Sequence, residues 1–290
     1  MKIKIKKMHL FATVKKEVFY KIWFILFLMV LMESSCQDSN PIRTIDIYKG
    51  EYSYLMKAVQ KEDIATIEQI VADKKLNLNY ADAAHGVSLL NWCIFSKRLK
   101  AFEELLILGA NPNWQDPKGE FAPPITEAAK LPETDKYLKV CLKYRGDPNC
   151  ISKKIKGTEN QTPLYGSFYS DRMENIKILI ANGANVNLAP EGYWTPLAEL
   201  LVQDKIVMAK FLIDQGADYI KMNFKTESGN DLNILDLLRM NKFNLNSEEY
   251  KIKMEIVEFL KKKGLDYWKY PIPDDIKLQY KNDPDYLDKY

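Results

Sequence analysis

A six-residue phrase recurs along this chain, and its spacing limits the possible folds more than any other feature. It reads "LGANPN" at Leu108–Asn113, "YRGDPN" at Tyr144–Asn149, "NGANVN" at Asn182–Asn187 and "QGADYI" at Gln215–Ile220. Fainter copies are "KKLNLN", ending at Asn79, and "KGLDYW", ending at Trp268. Aligned on its third residue, the phrase falls at Leu76, Ala110, Gly146, Ala184, Ala217 and Leu265, at intervals of 34, 36, 38, 33 and 48. A second marker, the leucine of Thr-Pro-Leu or its equivalent, falls at Leu55, Leu90, Ile125, Leu164, Leu197 and Leu235, at intervals of 35, 35, 39, 33 and 38. Two independent markers sharing one period indicate a repeat array in which each unit stacks on its neighbours.

Each marker has a local meaning. Gly183 follows the apolar run "IKILIAN", where a residue without Cβ suits the left-handed turn that ends a helix. Thr195 and Pro196 give the opposite signal: the hydroxyl caps a helix start, and proline fits the first turn, where its missing N–H is no loss. Asn185 and Asn187 are placed to brace the intervening loop through side-chain to backbone hydrogen bonds. Leu105, Leu106, Ile178, Leu179, Phe211 and Leu212 recur at helical spacing and read as core. Trp92 takes the apolar slot of its helix.

The segments "TPLYGS" and "TPLAEL", with "GANVN" and "GANPN", resemble the ankyrin repeat over roughly Glu51 to Trp268. The resemblance implies an all-α solenoid of about six helix-loop-helix repeats with short hairpin-like loops. The chain departs from the pattern in places. Lys75 and Arg145 replace the turn glycine, "APPITEAA" replaces the usual opening of the third repeat, and extra residues enter around Asn241 to Tyr250. The tail, residues 269–290, has three prolines and mixed charge. It cannot continue the repeat, and either caps the last helix pair or stays loosely ordered.

The N-terminus is different in kind. Seven lysines lie before the eleven-residue apolar run Ile22–Met32. As a helix that run would span about 16 Å, too short for a bilayer core of roughly 30 Å. A basic segment, a short apolar segment and small residues read as a secretory signal over residues 1–35; an N-terminal anchor helix is the other reading. Ser34 and Ser35 before Cys36 resemble a bacterial lipoprotein cleavage site, with Glu33 where that family has leucine. The resemblance implies lipid on Cys36, a linker over 36–50, and sorting to the periplasmic face of the outer membrane, since Gln37 follows the cysteine. Soluble periplasmic and leaderless cytosolic forms are the alternatives. Removing residues 1–35 takes away seven lysines and two glutamates, so a chain at +3 becomes one at about −2. The basic balance belongs to the leader, and no basic stripe remains for nucleic acid.

Reactive groups are sparse. Besides His9 in the leader, His85 is the sole histidine, and it reads as an exposed or turn-bracing side chain. No CxxC pair, HExxH helix, GxSxG turn or phosphate loop is present, so neither catalysis nor a cofactor or metal site is expected. Cys93 reads as core. A bridge between Cys141 and Cys150 is open in an oxidising compartment.

A binding surface is expected instead. Trp114, Phe121, Tyr193, Trp194 and Phe224 lie in or beside the loop fingers, and large aromatics at wet positions anchor protein interfaces. They could equally cover seams between repeats. The ankyrin resemblance adds Phe95, Lys130, Tyr169 and Gln203 on the inner helices, at positions that commonly touch a partner. The combined architecture is similar to that of ankyrin-repeat immunity lipoproteins that neutralise type VI secretion lipase effectors. That similarity implies a protein partner, a phospholipase or lipase effector, bound by a chain otherwise monomeric. A periplasmic scaffold or chaperone-like module for a resident envelope protein is the alternative.

Overall fold

The computed structural model describes residues 47–83, 85–117, 121–153, 161–222, 224–225 and 231–290. The signal segment, Cys36 and most of the 36–50 linker lie outside the described residues. Within them stand six helix pairs: α1 (Glu51–Lys61) with α2 (Ile64–Lys74), α3 (Leu89–Phe95) with α4 (Leu99–Ile107), α5 (Pro124–Ala129) with α6 (Lys136–Lys143), α7 (Pro163–Tyr169) with α8 (Met173–Ala181), α9 (Pro196–Val202) with α10 (Ile206–Asp214), and α11 (Ile234–Met240) with α12 (Glu248–Lys262). Among the described residues no helix is long and apolar enough to cross a membrane.

The pairs form where the caps predict. Ser88, Thr162 and Thr195 accept the N3 amides of α3, α7 and α9, and proline opens the latter two. Asn233 and Asp236 make a reciprocal capping box on α11. The degenerate third repeat starts at Pro123 with no side-chain cap. Leu55, Leu90, Ile125, Leu164, Leu197 and Leu235 are all buried, as are Leu105, Leu138, Leu179, Leu212 and Leu260 on the outer helices. The core is therefore a row of layers, each closed by the next pair. Trp92, Leu106 and Cys93 are buried too, whereas Ile178 and Phe211 are half-buried. Gly166 permits a close approach: a Cβ there would lie 3.0 Å from the Thr126 carbonyl oxygen of α5.

The fingers between pairs are stitched by asparagines. Asn185 Oδ1 accepts the amide of Asn187 at 2.9 Å, as the loop-bracing reading expects. Asn187 Oδ1 then accepts the amide of Asp218 in the next finger at 2.8 Å. The same rung joins Asn79 to the amide of Asn111, Asn113 to that of Asp147, and Asn149 to that of Asn185, at 2.7–2.8 Å. Asn113 and Asn149 also donate to the carbonyls of Arg145 and Gly183. Each rung satisfies backbone groups that a loop would otherwise leave to water. Two fingers are hairpin-like: Ala81 bridges Ser88, and β1 (Phe224–Lys225) runs antiparallel to β2 (Asp231–Leu232) with Phe224 opposite Leu232.

Lys75 and Arg145 take the left-handed conformation that glycine would supply, with φ of 47° and 66°. A side chain there costs about 1–2 kcal/mol. Lys75→Gly and Arg145→Gly are each expected to stabilise the chain by roughly 0.5–1 kcal/mol after the added chain entropy of glycine, read as a shift in urea midpoint at unchanged slope.

The tail folds. Residues 274–279 and 284–289 form α13 (Asp274–Gln279) and α14 (Pro284–Lys289). Ile276, Tyr286 and Tyr290 make a small core against Leu245, Ile272, Tyr280 and Leu287, with the Tyr280 and Tyr286 rings stacked at 3.8 Å. Beneath it lies Arg239, 2 % exposed. Its guanidinium donates to the main-chain oxygens of Tyr267 at 2.8 Å, Tyr270 at 3.0 Å and Tyr290, and sits 3.8 Å from the Tyr267 ring centre. Lys253, 1 % exposed, donates to the Asn241 carbonyl at 3.0 Å and lies 4.3 Å from the Tyr290 ring centre.

Candidate protein-binding surface

The inner helices present one register position repeatedly. Phe95, Lys130, Tyr169, Val202 and Met240 each stand five residues beyond the leucine or isoleucine of their helix start, and Gln203 is one further on. Tyr169 is 53 % exposed and Met240 49 %. The others are half-buried. Two are engaged along their own chain segment: Lys130 Nζ lies 2.9 Å from Glu127, and Gln203 Nε2 donates to Glu199. Lys130 and Gln203 can therefore meet a partner only by keeping or exchanging those bonds. The Tyr169 hydroxyl receives the Gln161 amide at 3.4 Å.

The finger aromatics divide. Phe95 and Phe121 pack on each other, ring centres 5.2 Å apart, so this pair closes the seam between α3 and the finger that follows. Trp114 is half-buried and starts at the turn in which its amide meets the Asn111 carbonyl. Beside it, Gln115 joins the next finger through the amide of Lys153 at 2.7 Å. Phe224 lies on β1, paired through its backbone.

Tyr193 and Trp194 are brought together. They are half-buried and line a cleft of about 690 Å³ between two fingers, with Pro190, Glu191, Ile220, Lys221, Met222, Asp231 and Leu232. The cleft wall is held from both sides. The Tyr165 hydroxyl, rising from α7, donates to the Trp194 carbonyl, and the Thr195 amide donates to the Met222 carbonyl at 3.1 Å. Burial, with Glu199 nearby, pushes the Tyr165 hydroxyl well above its ordinary range, which keeps it a neutral donor. Carboxylates, an ammonium group and apolar walls around one cleft fit an amphipathic peptide surface.

Among the exposed apolar residues that sequence reading misses, Met240 and Ile220 adjoin the positions above. Met240 was findable by extending the register that yields Tyr169. Ile220, 62 % exposed, stands where the preceding fingers carry asparagine, a substitution that marks it as unlike its neighbours.

His85 braces its turn: Nδ1 is 3.0 Å from buried Asp82, which also accepts the amides of His85 and Val87. The three described cysteines are free thiols, so the bridge between Cys141 and Cys150 left open by the sequence is not made here. Cys93 and Cys141 are fully buried, and desolvation raises both thiols far above their ordinary range. Cys150 is pushed up to about 11 by burial and by Asp147. In native protein at pH 8 a thiol reagent is expected to label Cys150 slowly and the other two only on unfolding, as intact-mass kinetics would record.

No protein-family model matches the chain, and no curated protein matches it. Among solved structures it is similar to an ankyrin repeat domain from Acinetobacter baumannii, with 22% identity and a TM-score of 0.51, covering 71% of this chain and 96% of that one. It is also similar to the ankyrin repeat protein EF0377, with 19% identity and a TM-score of 0.50, covering 72% and 96%. Stacked helix pairs, stitched fingers and these neighbours together define the fold of this chain as an ankyrin-repeat solenoid.

Proposed function

We propose that this chain is a protein-binding solenoid of the periplasm, held to the outer membrane by lipid on Cys36. Its role is that of an immunity protein: it grips a type VI secretion phospholipase or lipase effector and closes the path of substrate to the enzyme. The observation that carries the binding reading is the cleft between fingers, where Tyr193 and Trp194 form a wall beside exposed Ile220. A solenoid surface needs no chemistry of its own to act this way, because occlusion follows from a tight complex of ordinary interface size. The immunity role itself rests on the sequence: a lipoprotein-like leader ahead of an interaction fold.

Affinity capture from the native host, with the chain expressed from its own start, tests the reading. A co-purifying lipase whose toxicity the chain suppresses supports it. A resident envelope protein in its place would replace the immunity role with that of a scaffold. Labelling of Cys36 by a palmitate analogue, lost in Cys36→Ser, tests the anchor.

A further inference from the structure

Of the five steps between successive fingers, four carry the asparagine rung. The fifth does not. The residue whose side chain should accept from the amide of Asp266 is Ile220, which has no side-chain acceptor and is 62 % exposed. At that seam a cleft of about 430 Å³ opens, lined by Tyr219, Ile220, Leu265, Asp266, Lys269 and Tyr270 among others.

The opposite edge of the seam is closed. Asn241, 1 % exposed, donates through Nδ2 to the Leu201 carbonyl at 2.6 Å and to Asp204 at 2.7 Å. Between the two edges an edge-to-face contact joins Tyr219 to Phe259, ring centres 5.4 Å apart.

Beyond the seam the chain is bound to itself. Arg239 gathers the main-chain oxygens of Tyr267, Tyr270 and Tyr290. Tyr250 donates to the Lys289 carbonyl at 2.6 Å, and Lys242 to Gln279 at 3.0 Å.

From the missing rung, the cleft and the buried amide opposite, we infer that residues 233–290 are a separately opening unit that turns about Asn241. The finger edge is the mouth and the Asn241 edge is the hinge. Ile220 lines both clefts, so opening changes the wall that Tyr193 and Trp194 face. A ligand seated there selects among angles of the sixth repeat.

Hydrogen exchange followed by mass spectrometry on the whole chain tests this. Amides of α11, α12, α13 and α14 are expected to exchange together, about tenfold or more faster than those of α3–α10. Ile220→Asn supplies the missing acceptor and is expected to slow that group toward the rest. Asn187→Ile removes the preceding rung and is expected to move the boundary one repeat earlier; if that variant does not fold, Ile220→Asn alone carries the test. One common exchange rate across all helices overturns the inference. So does an Ile220→Asn chain with native circular dichroism and unaltered exchange beyond residue 233.

Discussion

Arg239→Ala is expected to lower the thermal midpoint of the last repeat by about 15 °C. The guanidinium serves three main-chain oxygens, of Tyr267, Tyr270 and Tyr290, each at least 28 residues away along the chain, and faces the Tyr267 ring. Its removal strands those oxygens in a site with little water. Losing one side of a buried charged network costs about 3–5 kcal/mol, and about 1 kcal/mol moves the midpoint of a unit as small as the last repeat by roughly 4–8 °C. Relief of repulsion with Lys253 offsets part of the loss. A two-step melt by circular dichroism, with the lower step shifted, is the expected trace.

Lys253 gives this region a pH dependence of definite sign. Burial first, then Arg239, lowers its pKa to about 7, whereas an unfolded lysine titrates near 10.4. Between those values the unfolded chain holds more protons, so stability rises as pH rises from about 7. Buried Tyr48, Tyr137, Tyr165 and Tyr267 have the opposite consequence. Desolvation raises them above their ordinary range, so unfolding gains as pH passes about 10. Urea melts at pH 7, 8 and 9 should therefore show increasing stability, with the slope reduced in Lys253→Met.

The second large effect is on binding. A chain carrying Trp114→Ala, Tyr193→Ala and Trp194→Ala is expected to lose a few kcal/mol of affinity for its protein partner, about two orders of magnitude or more in Kd. The three side chains are half-buried, and the cleft wall is held through backbone carbonyls of Trp194 and Met222 that the substitutions leave in place. The variant should thus keep its fold. Calorimetric titration reads the result, and unchanged Kd in a folded triple variant removes these residues as anchors.

Much of the fold was legible because its signals are local. A Thr-Pro pair and a turn glycine report backbone conformation directly, so even Lys75 and Arg145 could be placed at left-handed turns. Layered burial of the repeat leucines followed from spacing alone. What escaped was set by partners distant in sequence. Asn187 could be read as bracing its own loop, but its bond to the amide of Asp218 needs the stacking of two repeats. Phe95 and Phe121 look alike as anchors until their rings meet. The tail gave no period, and its order comes from Arg239, which sequence spacing does not connect to Tyr290. Exposed Ile220 was visible only as a missing asparagine.

The amide rungs place the pitch of the fingers in four asparagines, Asn79, Asn113, Asn149 and Asn187, and the backbone amides they hold. The other side chains at the tips are thereby released from keeping the array in register. Trp114 or Tyr193 can be exchanged for other groups while the ruler beneath them holds its graduations. Such a scaffold can follow a changing partner by surface revision alone.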